Sequence, residues 1–215
     1  MNALRLVCAL ALTAGCEPSH PVAPTGESVL SRLRPTVTCG TTLNATAIIE
    51  GAPFSAPVHA QVLVTEPADA RFVVLRSGDG TDSTLRVSAT KLTPGDRELT
   101  PFQSSSLIGI LLGRPVIVPH ASQNALIVSA NEGHATIMVQ GDSMRQELEV
   151  VPFEDLLMTK SVRVWEGEEL LYEAHFSDPK APDGCNEFVP RTIEIAIGKE
   201  LNVKLKYVQV RWMQE

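Results

Sequence analysis

The chain has 215 residues, 44% of them hydrophobic and 20% charged, with 25 acidic against 18 basic side chains and a net charge of -7. That balance suits a globular body and argues against an intrinsically disordered one. With no broad basic surface to neutralise phosphates, nucleic acid is excluded as a partner class.

The chain opens with Met1 to Arg5, continues with the apolar run Leu6 to Leu12 and reaches Thr13, Ala14, Gly15 and Cys16. A positive start, an apolar stretch too short to span a bilayer and small residues before a cut site predict a signal peptide over 1–15. With cysteine directly after it, the segment resembles the lipobox of bacterial lipoproteins, in which that cysteine is lipidated and becomes the mature N-terminus. It departs from the family's pattern in carrying Thr13 where Leu is most frequent, Leu12 lying one place earlier. The alternative is an ordinary secretory signal cut nearby, with Cys16 incidental. The resemblance implies membrane attachment through a lipid on Cys16, and Glu17 in place of Asp points to the outer membrane of a two-membrane cell.

From Cys16 to Pro35 the chain carries Pro18, Pro21, Pro24 and Pro35 and little apolar periodicity beyond Val29, Leu30 and Leu33. A Pro-rich spacer of this kind reads as an extended tether over 16–35. Short apolar runs with turn residues between them then predict strands near 36–39, 43–50, 58–64, 70–76, 84–89, 106–112, 116–119 and 125–130. Further ones are expected near 135–140, 146–151, 161–165, 169–176, 192–197 and 201–212, with one helical turn over 153–157. Serial short strands predict an all-β sandwich.

Two hairpins are sharply written. Ala135, Ile137 and Val139 turn through Gly141, Asp142 and Ser143 into Leu148 and Val150. Ile193, Ile195 and Ile197 turn through Gly198 into Leu201, Val203, Leu205 and Tyr207, with Lys204 and Lys206 on the wet face and Lys199 at the turn. After Tyr207 the apolar phase moves to Val208, Val210 and Trp212, which predicts a β-bulge or a change of sheet at 207–208. The run Gly133, Ala135, Ile137, Val139 followed by Leu148 and Val150 resembles the last two strands of bacterial immunoglobulin-like domains, over 125–151. It implies an immunoglobulin-like β-sandwich at 36–151, with a smaller packed C-terminal β-rich part at 152–215.

Removing the signal and lipidating Cys16 leave Cys39 and Cys185, which in an exported chain read most simply as a disulfide. A metal site is the competing reading, although neither cysteine has a second Cys or His at ligand spacing. Ser104, Ser105 and Ser106 lack a nucleophile elbow. His20, His59, His120, His134 and His175 are scattered singly. Asp79 to Ser83 suits a hairpin turn better than a calcium loop, and Glu166 to Glu169 and Asp178 to Asp183 offer carboxylates whose spacing only a fold can fix. No catalytic residue, metal ligand or cofactor is therefore assigned. Trp165, Tyr172, Tyr207 and Trp212 are either a stacking surface for a glycan or the core of the C-terminal part. The resulting expectation is a lipid-anchored envelope protein without enzymatic activity. It would act as a binding or scaffolding component toward an envelope protein partner through strand edges and loops, with a carbohydrate-binding module as the alternative.

Overall fold

The computed structural model describes residues 25–33, 42–52, 56–65, 69–76, 84–87, 91–93, 97–98, 101–131, 133–154, 156–182, 188–198 and 201–213. The signal, Cys16, Cys39, Cys185, His20, the strand expected at 36–39 and the turn at 79–83 lie outside the described residues.

A short helix, α1 (Gly26–Leu33), precedes β1 (Thr42–Ala52), β2 (Val58–Thr65), β3 (Asp69–Arg76), β4 (Thr84–Val87), β5 (Lys91–Thr93) and β6 (Arg97–Glu98). The helix α2 (Pro101–Leu111), a strap over 112–121 and a 3-10 turn (Ser122–Asn124) lead into the second run of strands. These are β7 (Ala125–Asn131), β8 (His134–Gln140), β9 (Met144–Phe153), β10 (Leu156–Glu166), β11 (Glu169–Lys180), β12 (Val189–Ile197) and β13 (Leu201–Met213).

All the described strands form one thirteen-stranded sheet, in the order β6-β5-β4-β3-β2-β1-β13-β12-β11-β10-β9-β8-β7. It consists of two antiparallel meanders, β1 to β6 and β7 to β13, joined where Thr42–Ala52 pairs with Met213–Asn202. The expected immunoglobulin-like sandwich of two facing sheets is replaced by a single sheet. Alternation reports that one face of a strand is buried, and it is silent on whether a second sheet or a helix buries it. The boundary expected after Val151 falls inside β9, which runs on to Phe153 and there pairs with Leu156 of β10.

Both sequence-read hairpins are present, β8 to β9 around Gly141 and β12 to β13 around Gly198 at φ 56°. The bulge is present too. Thr46 faces Gln209 and Ala47 faces Tyr207, which leaves Val208 unpaired and 54% exposed while Tyr207 and Val210 are both buried.

Four expectations are corrected. The run at 106–112 is helical: Ser106, Ile108, Gly109, Ile110 and Leu111 are all buried on α2, an all-round apolar pattern that sets helix and strand equally. The helix stops through Gly113 at φ 72°, whose N–H donates to Ile110 O at 3.0 Å while Arg114 N–H donates to Gly109 O at 2.7 Å, a Schellman close. The run at 116–119 is extended but joins no strand ladder. The expected helical turn at 153–157 is instead the β9 to β10 turn, with Glu154 at φ 51°. Within the expected tether, 26–33 is a packed helix whose N-cap Thr25 accepts the Ser28 N–H on Oγ1 at 3.2 Å.

Candidate functional site beneath the connecting helix

Alternation along each strand sends one row of side chains to an inner face, and the two helices and the strap lie on it. Leu43, Ala45, Ala47 and Ile49 of β1, Ile137 and Val139 of β8, Leu148 and Val150 of β9, and Ile193 and Ile195 of β12 share that face and are buried. Val29 and Leu30 of α1 and Ile108 and Ile110 of α2 belong to the same core.

Two tyrosines of this face meet α2. Tyr207 on β13 donates its hydroxyl to Leu111 O at 2.9 Å, satisfying one of the carbonyls a helix leaves open at its C-terminus. Tyr172 on β11 lies beside Ser106 of α2, and neither buried oxygen completes a hydrogen bond. Burial pushes the Tyr172 phenol up to about 12 and the Tyr207 phenol up further still, so both stay protonated at neutral pH.

The strap is fixed by one side chain. Gln146, fully buried on the inner face of β9, accepts the Val118 N–H at 3.0 Å and donates to Val116 O at 2.8 Å. The amide thus supplies the ladder partner that the strap does not find in a strand. Further along, the His120 ring lies 2.8 Å from Val118 O through Nδ1 and 3.0 Å from Glu27 of α1 through Nε2. One buried amide, one tyrosine and one histidine therefore tie the cover of the inner face to the sheet and to itself.

A hollow of about 60 Å³ opens where β9 turns into β10 and where β11 ends and β12 begins. Val151, Phe153, Met158, Phe176, Pro179 and Pro190 make its lining mostly apolar, with Thr159, Lys160 and Ser177 as its polar part. Phe153 and Phe188 meet edge-to-face at 4.8 Å beside it, and Leu156 at the turn is 47% exposed. The volume admits about two groups of water or methylene size.

The outer face is polar in the middle of the sheet. Arg163 of β10 stands directly opposite Glu147 and Glu173, at 3.2 and 2.6 Å. Lys160 reaches Glu149 at 2.8 Å, and Lys204 pairs with the opposite Glu194 at 2.8 Å. Burial raises the Glu173 carboxyl, but Arg163 and His175 outweigh it and hold the group below the usual carboxylate range. Lys160 lowers Glu149, and Lys204 lowers Glu194. These are cross-strand pairs of a solvated face.

The four aromatic candidates do not form one stacking surface. Tyr172 and Tyr207 are 4% and 3% exposed beneath α2, which leaves no ring face for a sugar. Trp212, half-buried near the seam with β1, carries Arg114 5.6 Å from its ring centroid. Trp165 stands on the outer face with Arg145 at 4.5 Å. His59, His134 and His175 are exposed and separate, and among the described residues no three His, Cys, Asp or Glu side chains cluster as metal ligands. Gln146 and the lining of the hollow were not singled out by the sequence. Gln146 did leave a trace, as the one polar residue in the inward series Met144, Gln146, Leu148, Val150.

No family model matches the chain and no curated protein does. Solved structures do match it. A DUF1329 family protein from Desulfovibrio piger is similar at 13% identity with a TM-score of 0.52, over 87% of this chain and 91% of that one. A LolA superfamily protein from Nitrosomonas europaea is similar at 10% identity with a TM-score of 0.50, over 90% of this chain and 96% of that one. At these identities the likeness concerns the fold. The likeness extends over nearly the whole chain, and so takes in the broad antiparallel sheet together with the helices on its inner face. No helix among the described residues is long and apolar enough to cross a membrane.

Proposed function

We propose that this chain is a cell-envelope protein, anchored by a lipid on Cys16 to the outer membrane, that works without catalysis by binding an apolar chain between the inner face of its sheet and the α2 cover. The ligand class is an acyl chain, free or carried by a lipid or an acylated envelope partner. The observation that carries this reading is the kind of cover the inner face has. A row of apolar side chains from β1 to β13 is closed by a helix and a strap held through Gln146, Tyr207 and His120, where a sandwich would close it with a second hydrogen-bonded sheet. Lifting this cover exposes Ile108, Ile110, Leu111 and Val118 as well as breaking these hydrogen bonds, so the bound chain must replace their apolar contacts against a sheet that stays whole. The apolar hollow wraps the end of the sheet, with Phe176 on the inner row and Met158 beside Val151 on the outer one, and is the opening through which a chain tip enters; each buried methylene stabilises the complex by about 0.8 kcal/mol.

Titration of the full chain with a fluorescent long-chain fatty acid tests this. Saturable binding, displaced by lysophospholipid and weakened at least about fivefold by Met158→Gln with an unchanged unfolding midpoint, is the expected result; each buried methylene lost accounts for roughly a fourfold change. Absence of saturable binding to both lipids refutes the reading.

A further inference from the structure

We propose that the exposed apolar strip on β7 rests on the bilayer to which the tether leads, making this edge of the sheet the membrane-facing part of the protein. The inference rests on the anchor reading of Cys16 and assigns a second, separate surface. Leu126 and Val128 are the most exposed large apolar side chains among the described residues, at 58% and 55%. Leu126 lies opposite the half-buried Met138 of β8, which extends the strip inward.

Three observations select a membrane as the occupant. The first is where the tether ends. A Cβ on Gly26 would collide with the Ala125 carbonyl and lie 2.9 Å from Leu126 N, so the chain enters α1 directly against the root of the strip. The ten steps from Cys16 to Gly26 reach at most about 36 Å, which bounds how far the root of the strip stands from the anchor. The second is charge. Residues 115–131 contain no Asp, Glu, Lys or Arg in a chain of net charge -7, and Glu27 of α1, which reaches this stretch, is taken up by His120 at 3.0 Å, so the strip itself carries no charge to set against headgroups. The third is the edge itself. Ile127 faces Ile137 while Ser129 faces Thr136, so Val128 is a bulge that breaks the regular ladder a partner strand would need. Bulges blunt an edge against strand addition, so of the surfaces an exposed apolar strip can meet, a lipid surface suits this edge better than a partner strand.

The test uses the protein extracted from its own membranes and reconstituted in vesicles of phosphatidylethanolamine and phosphatidylglycerol, after its intact mass has been recorded. Amide exchange over 126–131 is compared between the vesicle-bound chain and the same chain released by proteolysis within 17–24. The expected result is exchange slowed by about tenfold or more on vesicles at these amides, with β9 to β12 unchanged. The double variant Leu126→Ser, Val128→Ser loses that protection while keeping the wild-type unfolding midpoint. Equal exchange in bound and released chains overturns the docking and leaves the anchor intact. Protection that persists in the released chain points to self-association and overturns it as well. A mass without acyl groups on Cys16 overturns the anchor itself and the docking with it.

Discussion

Replacing Gln146 by leucine asks how firmly the cover of the inner face is held. The substitution conserves bulk approximately but strands two backbone groups that the amide satisfies, the Val118 N–H at 3.0 Å and the Val116 carbonyl at 2.8 Å. Gln146 and Val118 are both fully buried, so water does not replace the lost partner without the strap moving. An orphaned buried backbone group costs about 1–3 kcal/mol, so two cost about 2–6 kcal/mol, and the added apolar contact of leucine offsets about 1 kcal/mol, giving a net loss of about 1–5 kcal/mol. That is a large share of a typical domain's stability of about 5–15 kcal/mol. Urea unfolding measures the loss, and native-state amide exchange at Val118 shows whether the strap opens ahead of the sheet. The exposed Gln140→Leu is the control, expected within about 0.5 kcal/mol of wild type. If Gln146→Leu is as stable as that control and Val118 remains protected, the strap is held by packing alone and the argument from the buried amide is refuted.

Three further outcomes follow from the same geometry. Tyr207→Phe removes the bond to Leu111 O and costs about 1 kcal/mol, whereas Tyr172→Phe removes a buried hydroxyl without a partner and is neutral or stabilising in the same urea assay. Because Glu149, Glu173 and Glu194 are held below the usual 4.5, their ion pairs contribute fully above that pH and are lost as pH falls through the lower folded values; Arg163→Ala therefore flattens the loss of stability below about pH 4.5 in an acid titration of the unfolding midpoint. A Cys39 to Cys185 bridge closes so long a loop that its reduction costs up to about 5 kcal/mol, read as a midpoint difference with and without reductant that vanishes in Cys185→Ser.

Period-two alternation is the strongest local signal a sheet can leave, and where it is clean the reading and the structure agree. Ile193, Ile195, Val203 and Leu205 point inward as written, and the phase change after Tyr207 is the bulge at Val208. Misreadings fall where alternation gives way to a solid apolar run. Leu107 to Leu112 reads as a buried strand or a buried helix with equal force, and the deciding signal is past its end, where Gly113 and Pro115 form a helix stop. In α1 the buried Val29 and Leu30 were visible, but eight residues between prolines carry too little periodicity to separate a packed helix from a tether. The hollow was illegible for a different reason. Met158, Phe176 and Pro190 come from three strands, and only register places them together.

The choice between sandwich and single sheet turns on one connection rather than on any strand. β6 and β7 are consecutive in the chain yet lie at opposite edges of the sheet. Laid flat, thirteen strands span about 58 Å at ~4.8 Å per strand. The connection has α2, worth about 16 Å, and the residues after it, worth at most about 45 Å. It is just long enough to cross and has no slack for a detour around an edge, so it runs over a face. The face it chooses is the apolar one, because the second half of α2, Leu107 to Leu111, is an unbroken run without a polar side chain and needs burial as much as the sheet does. The same economy explains the polar latches: a connector that crosses strands without joining their ladder must find partners for its own backbone, and Gln146 and Tyr207 supply them from below. A covering connector therefore follows from the strand order itself, and it is held to the sheet by its buried apolar side chains as well as by these hydrogen bonds.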